Sequence, residues 1–409
     1  MIDIKLLREN PEKVKKACEN KGAKIDIEQI LELDKKRRES IQEIEKLKAE
    51  QNKLGKDQIE KAKELKNKIK ELEPELEKAE LEFQILFNRI PNLPLDGVPI
   101  GSNEAGNKVI KIVGKAEKGL RDYLDLAEKL DIIDVKRAAK VSGTRFGYLK
   151  GGAALLEFGL IKLALDTLLK EGFIPIIPPV MIKPEMMKAM GYVERGGDEI
   201  YYFDKDNLYL TGTSEQSIGP MHTDEIFEEK DLPKRYVAFS TCFRREAGSY
   251  GKDTKGILRV HQFDKVEMFS FCKPEDSIKE HKFFLSMEEK LMQALKIPYR
   301  VLNICTGDLG DPAAAKYDIE AWMPGQNEYR ETHSTSNCTD FQARRLNIKY
   351  KSRDGKLEFV HTVNGTAFAI GRTLIVIIEN YQQKDGSIKV PKILRKYTGI
   401  KEIKPSRAR

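Results

Sequence analysis

The chain has 409 residues, of which 40% are hydrophobic and 33% are charged, and its formal net charge is +7. A chain of this length exceeds the size at which a single hydrophobic core stops growing, so we expect two or more domains. The longest apolar runs, such as residues 374–378, are far shorter than the roughly 18 residues of a membrane span. The first residues include acidic side chains and no sustained apolar stretch, which excludes a secretory signal. We therefore expect a cytoplasmic protein that has no contact with a membrane.

The cysteines are few and widely spaced. No two of them form a Cys-x-x-Cys pair, and the five positions are Cys18, Cys242, Cys272, Cys305 and Cys338. An odd number without paired spacing argues against both a disulfide framework and a zinc ribbon. We expect reduced cysteines that pack as small hydrophobic residues, and no zinc.

Residues 27–90 contain two stretches in which apolar residues recur at spacings of mostly three and four. In the second stretch these positions are Ala62, Leu65, Ile69, Leu72, Leu76, Ala79, Phe83, Leu86 and Ile90. Such a repeat is typical of a coiled coil, and Gly55 and Asp57 between the stretches indicate a turn. We predict a hairpin of two antiparallel helices, each roughly 45 Å long. Pro74 lies inside the second stretch and is expected to kink that helix.

Charge along this helical hairpin is polarised. The half nearest the turn, in which we include residues 35–38, carries most of the lysine and arginine residues, whereas residues 71–82 of the second helix are rich in glutamate. Mixed charge is common on a solvated coiled coil, but a basic end on an acidic stalk is better explained by contacts with phosphates. The candidate residues for binding nucleic acid are Lys35, Lys36, Arg37, Arg38, Lys46, Lys53 and Lys63.

After the hairpin, prolines and glycines up to Gly101 mark a linker, which predicts a first domain over 1–100 and a second over 101–409. In the second domain the pattern predicts helices over 153–170, 274–295 and 371–381. Strands are predicted over 173–179, 235–244, 257–271, 316–322, 328–333 and 359–370. The mixed order favours an α+β fold, with helices packed on an antiparallel sheet.

Two common nucleotide-binding motifs are absent from the sequence. Gly251-Lys252 is followed by aspartate and lacks the earlier glycine of a phosphate-binding P-loop, and no Gly-x-Gly-x-x-Gly follows a predicted strand. If a nucleotide binds, other groups must hold its phosphates.

Several blocks of the second domain resemble the three motifs of class II aminoacyl-tRNA synthetases. Residues 243–246 (Phe-Arg-Arg-Glu) and 261–263 (His-Gln-Phe) border the loop of the predicted strand pair, as in motif 2. Residues 153–179 resemble motif 1, and Gly371-Arg372 at the start of the last helix resembles motif 3. Residues 211–215, 331–345 and 364–366 are similar to blocks of the seryl-tRNA synthetases, and so is the N-terminal hairpin. The resemblance covers essentially the whole chain.

The resemblance to the seryl-tRNA synthetases implies an activity and a set of partners. Such an enzyme activates L-serine with ATP and Mg²⁺ to give seryl-adenylate and pyrophosphate, and then transfers serine to the 3′ end of tRNA(Ser). It forms a homodimer through motif 1, and its hairpin holds the tRNA. Whether tRNA(Sec) is also a substrate stays open. Two alternatives are a serine-like amino acid:carrier-protein ligase and a non-catalytic RNA-binding paralogue.

The resemblance also implies an ATP site. Arg244 would hold the α-phosphate and Arg372 the far end of the triphosphate, since guanidinium groups meet phosphate oxygens two at a time. Phe263 would stack on the adenine opposite Arg372, and Glu246 would hydrogen-bond the exocyclic amine. The implied ATP-binding residues are Arg244, Arg245, Glu246, Phe263, Glu331, Thr332, His333, Ser334 and Arg372. Of these, Glu331 and Ser334 would also ligate Mg²⁺, which prefers oxygen.

An implied serine site adjoins the ATP site. Its residues would be Thr213, Ser214, Glu215, Arg244, Glu267 and Thr366, with the carboxylates binding the ammonium group and the hydroxyl of serine. The residues expected to be catalytic are Arg244, Arg372 and Glu267. The carboxylate of serine is already ionised, so no histidine is needed as a base. In the motif 2 loop, Arg245, Lys252 and Lys255 are placed to meet the acceptor end of the tRNA.

Overall fold

The computed structural model describes residues 1–55, 57–194, 197–247 and 255–405, so Lys252 lies outside the described residues. The chain forms two compact units, Met1–Leu93 and Pro94–Arg409. The predicted linker thus starts the second unit, where the Leu95 N–H donates to the Ala314 carbonyl at 2.8 Å. Within the described residues, no helix combines the length and apolar character that crossing a bilayer requires.

The first unit is built from helices α1 (Ile4–Glu9), α2 (Pro11–Asn20), α3 (Ile27–Gln51) and α4 (Ile59–Asn88). Helix α3 begins at Asp26, whose side chain accepts a hydrogen bond from the Gln29 N–H. The apolar seam is buried at Ile30, Ile44, Leu65, Ile69, Ala79 and Phe83. The predicted antiparallel hairpin is therefore confirmed, and α4 continues through Pro74, which is exposed.

A buried aspartate joins helices α1 and α3 at the base of this hairpin. Asp34 is 1% exposed and accepts hydrogen bonds from Arg8 at 2.7 and 2.8 Å, from Arg37 at 3.1 Å and from Arg38 at 3.1 Å. The Arg37 guanidinium also lies 4.7 Å from the ring centre of Phe83 in α4. Burial alone would raise the pKa of Asp34, but hydrogen bonds from Arg8 and Arg37 outweigh it and lower the pKa.

The bounds of α3 correct the position that was predicted from the sequence for residues 35–38. Residues 35–38 lie in the half of α3 that is remote from the turn, and not in the half near it. Arg37 and Arg38 bind Asp34, so part of their charge is compensated within the protein. Lys46, Lys53 and Lys63 are exposed nearer the turn.

Replacing Asp34 with asparagine is expected to destabilise the first unit by about 2 kcal/mol, because three arginines lose their shared anion. Urea unfolding followed by circular dichroism would measure this, with Glu39→Gln as the exposed control on the same helix. Since the folded pKa of Asp34 is lowered, its contribution is present above the ordinary value of 3.8 and is lost as the pH falls through the folded value. Equal stability of the variant and the wild type at pH 7 would contradict this role.

The second unit contains both helices and strands. Its helices are α5 (Tyr123–Leu130), α6 (Val135–Ser142), α7 (Gly152–Leu168), α8 (Pro184–Met190), α9 (Glu215–Ile218), α10 (Ser277–Leu295), α11 (Phe341–Leu346), α12 (Ile370–Asn380) and α13 (Arg395–Thr398). Its strands are β1 (Lys108–Val113), β2 (Ile133–Asp134), β3 (Tyr148–Leu149), β4 (Ile174–Ile176), β5 (Met181–Ile182), β6 (Tyr202–Phe203), β7 (Leu208–Leu210), β8 (Ile226–Glu228), β9 (Lys234–Phe243), β10 (Gln262–Cys272), β11 (Tyr299–Asn303), β12 (Ala315–Met323), β13 (Glu328–Thr339), β14 (Lys349–Lys351), β15 (Leu357–Phe359), β16 (His361–Ala369), β17 (Ile388–Lys389) and β18 (Glu402–Ile403).

A central sheet organises this unit. Within the described residues it has eight strands in the order β1-β11-β12-β13-β16-β10-β9-β4. All neighbours pair antiparallel except β4, which runs parallel to β9. Helices α7, α10 and α12 pack on one face of the sheet, where residues such as Val266, Met268 and Ala321 form the main hydrophobic core. The α+β fold is confirmed. The face of the sheet opposite these three helices is available for a functional site.

The start of the second hairpin strand was predicted too early. Strand β10 begins at Gln262, whereas residues 257–261 form a loop. The Ile257 N–H donates to the Tyr123 hydroxyl at 2.9 Å, and Ile257, Leu258 and Val260 are buried. Their apolar pattern therefore reflects burial of a loop, which alternation alone does not distinguish from a strand.

Two β-bulges change which side chains share a face of the sheet. Along β12 and β13, Ile319 pairs with His333 and Glu320 pairs with Glu331, so Thr332 is an extra residue. Along β10 and β16, Val266 pairs with Phe368 and Glu267 pairs with Thr366, so Ala367 is extra in the same way. A bulge of this kind reverses the alternation on one side of it.

Candidate active site

A cavity of about 620 Å³ lies on the sheet face opposite helices α7, α10 and α12. Its floor is formed by β10, β13 and β16, and its walls include the segments that follow β7 and β9 and the start of α12. Side chains with chemical function that line it include Thr213, Glu215, Arg244, Glu246, Phe263, Lys265, Glu267, Glu331, Ser334, Thr366 and Arg372.

Strand geometry explains why these side chains meet. On β10, the cavity residues Phe263, Lys265 and Glu267 are spaced by two and so point to one face. On β13 the extra residue Thr332 brings Glu331 to the same side as Ser334, although an odd spacing separates them. The bulge therefore adds a carboxylate to the cavity that regular alternation would direct toward the helices.

Arg244 follows the last residue of β9 and reaches into the cavity. Its Nε donates to the Gly212 carbonyl at 3.2 Å, and its guanidinium lies 5.2 Å from the ring centre of Phe263. Its backbone N–H donates to the His261 carbonyl at 3.0 Å, which fixes where the side chain starts. The arrangement holds a positive charge next to an aromatic ring.

Arg372 lies in the first turn of α12, which follows β16, and its side chain also lines the cavity. Its Nη1 donates to the Glu331 carbonyl at 2.8 Å and lies 3.2 Å from Glu331 Oε2. Desolvation by the cavity walls would raise the pKa of Glu331, but the positive charges of Arg372, Lys316 and Arg244 lower the pKa to about 2. Arg244, Arg372 and a carboxylate that is ionised at neutral pH thus line one cavity on one side of the sheet.

The other end of the cavity is polar and buried. The Glu215 carboxylate accepts a hydrogen bond from the Tyr192 hydroxyl, and Glu267 Oε2 lies 2.5 Å from Lys265 Nζ. Burial raises the pKa of Glu215, and burial together with the charge of Glu215 raises the pKa of Glu267 to about 7, although Lys265 opposes the shift. Thr213 accepts a hydrogen bond from Lys265 at 3.2 Å. This end can hold a small molecule that has an ammonium group and a hydroxyl.

Known proteins match the chain over its whole length. Residues 1–94 match the family model of the seryl-tRNA synthetase N-terminal domain, and residues 201–381 match that of the tRNA synthetase class II core domain (G, H, P, S and T). A serine--tRNA ligase of Dictyoglomus thermophilum is 48% identical over 425 aligned positions, with 100% of both chains covered. The chain belongs to the seryl-tRNA synthetase family.

Two solved structures of seryl-tRNA synthetases have the same fold. The enzyme from Pyrococcus horikoshii, complexed with ATP, superposes with a TM-score of 0.94 at 43% identity and 100% coverage of both chains. The cytoplasmic enzyme from Naegleria fowleri, in complex with AMP, gives 0.90 at 36% identity, with 100% of this chain and 99% of that chain covered. The predicted family and fold are confirmed.

Three side chains that the resemblance to seryl-tRNA synthetases assigned to the site do not line the cavity. The buried Ser214 hydroxyl shares a hydrogen bond with Ser240 at 2.7 Å. His333 Nε2 donates to the Ala367 carbonyl at 3.0 Å, and burial lowers the pKa of His333 to about 4. The Arg245 side chain is exposed, while its N–H donates to the Glu199 carbonyl. His333 faces away from its neighbour Ser334 by ordinary alternation, and the bulge turns it away from Glu331 as well.

Several other residues that line the cavity of this seryl-tRNA synthetase family member were not identified from its sequence. Tyr192 binds Glu215, while Lys265, Lys316 and Asn364 line the cavity between the implied residues. The spacing of two along β10 could have shown that Lys265 shares a face with Phe263 and Glu267. Tyr192 gives no such signal, because it follows α8 and reaches the site only through tertiary structure.

The cavity offers oxygen ligands that suit Mg²⁺. The Glu331 carboxylate and the Ser334 hydroxyl both line it, and Asp318 lies behind Ser334 with a buried Oδ1 that has no hydrogen-bond partner among the described residues. No cluster of three or more His, Cys, Asp or Glu side chains within the described residues could hold a metal ion. Two protein oxygens fit an ion that keeps several waters and takes further ligands from phosphates.

Proposed function

We propose that this chain activates L-serine with ATP and transfers it to tRNA(Ser), with its second unit as the catalytic domain and its first unit as the tRNA-binding domain. The supporting observation is that Arg244 and Arg372 line the same cavity as Thr213, Glu215 and Glu267. Two fixed cations for a triphosphate therefore adjoin two buried carboxylates for an amino acid. The match to seryl-tRNA synthetases over the full chain favours serine.

In the proposed first step, the serine carboxylate attacks the α-phosphorus of ATP and pyrophosphate leaves. Arg244 stabilises the negative charge that develops on the α-phosphate, and Arg372 binds the departing end of the triphosphate. Phe263 stacks on the adenine, and Glu246 accepts a hydrogen bond from its amine. Glu215 and Glu267 bind the serine ammonium, and Thr213 and Thr366 complete this end. No base is required, since serine enters with an ionised carboxylate.

We propose that Glu331 and Ser334 hold Mg²⁺. When bound, the ion would neutralise charge on the triphosphate. The low pKa of Glu331 keeps its carboxylate ionised throughout the neutral range. Thr332, on the bulge, supports the geometry by donating its hydroxyl to the Ile319 carbonyl at 3.2 Å.

Replacing Glu331 with glutamine is expected to raise the Mg²⁺ concentration for half-maximal activity roughly tenfold or more, because one charged oxygen ligand is lost. The measurement is ATP–pyrophosphate exchange titrated with MgCl₂ at constant ATP. Glu328→Gln is the matched control, because Glu328 is an exposed glutamate of the same strand that pairs with Arg330 at 3.2 Å. An unchanged Mg²⁺ requirement in Glu331→Gln would exclude the residue as a ligand.

The first unit is proposed to hold the tRNA. Its helical hairpin carries exposed cations, which suit phosphate contacts along an RNA backbone. Lys35, Lys36, Lys46, Lys53 and Lys63 are exposed, and Arg37 and Arg38 retain surface access while they bind Asp34. Arg245 and Lys255 beside the cavity are proposed to meet the acceptor end.

We also propose a homodimer in the cytoplasm. Support comes from apolar side chains that the single chain leaves exposed on α7 and around β4, namely Leu155, Phe158 at 69%, Ile174 and Ile177 at 86% exposure. Burying such a patch against a second copy would be favourable. The relative from Naegleria fowleri is described as cytoplasmic, which supports the same compartment here.

The proposed function is tested by ATP–pyrophosphate exchange with serine, threonine and alanine in parallel, followed by charging of tRNA(Ser). We expect exchange with serine, and rejection of alanine, because a site that binds a hydroxyl is left with unpaired groups when the hydroxyl is absent. Exchange without tRNA charging would favour a carrier-protein ligase. No exchange with any amino acid would favour a non-catalytic RNA-binding protein.

A further inference from the structure

The amino-acid end of the cavity contains a buried lysine to which the proposed reaction gives no role. The Lys265 side chain on β10 is 10% exposed, and its Nζ contacts both Glu267 at 2.5 Å and Thr213 at 3.2 Å. Both partners belong to the proposed serine site. A buried ammonium group is costly unless opposite charge compensates it, so its position between these two residues indicates a function.

The charges of two carboxyls and one lysine determine which substrate group this end of the cavity can bind. Glu215 and Glu267 are both buried, and the charge of Glu215 raises the pKa of Glu267. Lys265 lowers the pKa of both carboxyls against the effect of burial. When both carboxyls are ionised, they and the one lysine leave a single net negative charge, which matches one substrate ammonium group. Without the lysine, two buried carboxylates would repel each other and one would take up a proton.

Other groups around Glu267 do not replace this contribution. Burial raises the pKa of Tyr192, Cys242 and Glu288, which favours the neutral form of each group. Arg244 also lowers the pKa of Glu267, but less than Lys265 does. The cation in direct contact with Glu267 is Lys265. The groups that face Glu267 are therefore Tyr192, Glu215, Cys242, Arg244, Lys265 and Glu288.

We propose that Lys265 is a positioning residue for the amino-acid substrate. It holds the Glu267 carboxylate and the Thr213 hydroxyl in place, and its charge favours the ionised form of both carboxyls, so that together they bind one substrate ammonium group. This inference rests on the proposed function, because it assigns a further residue to the same serine site. The lysine acts through its neighbours and is separate from the arginines that bind phosphate.

The test is the serine KM of Lys265→Met in ATP–pyrophosphate exchange, measured from about pH 6 to about pH 9. Methionine keeps an unbranched apolar stem and removes the charge. At pH 7 the serine KM should rise roughly tenfold or more, with a smaller change in the KM for ATP. The pH below which the serine KM increases should move upward by about one to three units, because the carboxylates lose the cation that lowers their pKa. Lys265→Arg, which retains the charge, should recover most of the serine affinity.

The possible results separate this inference from the proposed function. Wild-type protein without serine-dependent exchange would refute the proposed function itself. Normal wild-type exchange, combined with an unchanged serine KM and pH profile in Lys265→Met, would overturn the role of Lys265. So would a Lys265→Arg variant as impaired as Lys265→Met. Thermal unfolding and binding of a non-hydrolysable ATP analogue verify folding, and Lys265→Gln is judged by the same criteria if Lys265→Met does not fold.

Discussion

Replacing Arg244 with alanine is expected to lower serine-dependent ATP–pyrophosphate exchange by about 1,000-fold. Arg244 lines the cavity beside Phe263, is held by Gly212, and is proposed to stabilise charge on the α-phosphate as pyrophosphate leaves. That charge is greatest in the transition state, so the loss should fall mainly on kcat. The measurement is exchange at saturating serine and ATP.

Two further variants make the Arg244 result specific. Arg244→Lys retains a positive charge but not the planar pair of donors, so it should recover only part of the activity. Arg353→Ala removes an arginine whose side chain is 92% exposed, beyond β14, and should leave exchange unchanged. Exchange by Arg244→Ala within tenfold of wild type would refute the proposed role in charge stabilisation.

Shortening the helical hairpin is expected to abolish charging of tRNA(Ser) while exchange continues. Residues 40–79 can be replaced by about four glycine and serine residues, which span the distance between two packed helices. This design keeps Asp34 with its arginines and keeps Arg37 against Phe83, so the base of the hairpin stays folded. The cavity belongs entirely to the second unit, which is why the activation step should survive.

A hairpin of full length that lacks three of its lysines separates shape from electrostatics. Changing Lys46, Lys53 and Lys63 to glutamine should weaken the charging of tRNA(Ser) in part. The remaining charging should depend less steeply on salt concentration than in the wild type. Exchange should not change in this triple variant. If the shortened protein charged tRNA(Ser) at more than about one-tenth of the wild-type rate, the hairpin could not be the element that holds the tRNA.

The fold could be predicted from the sequence where one periodicity dominates. The apolar seam through Leu65, Ile69 and Phe83 identified the helical hairpin, and alternation identified β9. Residues 257–261 misled the prediction, because a buried loop supplies the same apolar residues as a strand. The ion pairs of Arg37 and Arg38 with Asp34 could not be predicted, because a charge pattern does not show which cations are bound to a buried acid.

The site was predictable as a set of residues but not as a geometry. Motif resemblance named Arg244, Glu331 and Arg372, which line one cavity. It also named His333, which points away because a bulge at Thr332 reverses the alternation of β13. Bulges have no reliable sequence signal, so the face on which a strand residue lies cannot be read by counting from a neighbour.

The extra residue gives β13 one amino acid more than its pairing with β12 needs. Deleting Thr332 would leave Glu331 and Ser334 two positions apart on a regular strand, so both side chains would still point into the cavity. A change that moved the bulge beyond Ser334 would instead put the two side chains on opposite faces. Mutational tolerance should therefore differ by type here: a one-codon loss at position 332 can be absorbed, whereas a shift of the bulge past Ser334 would separate the two proposed Mg²⁺ ligands.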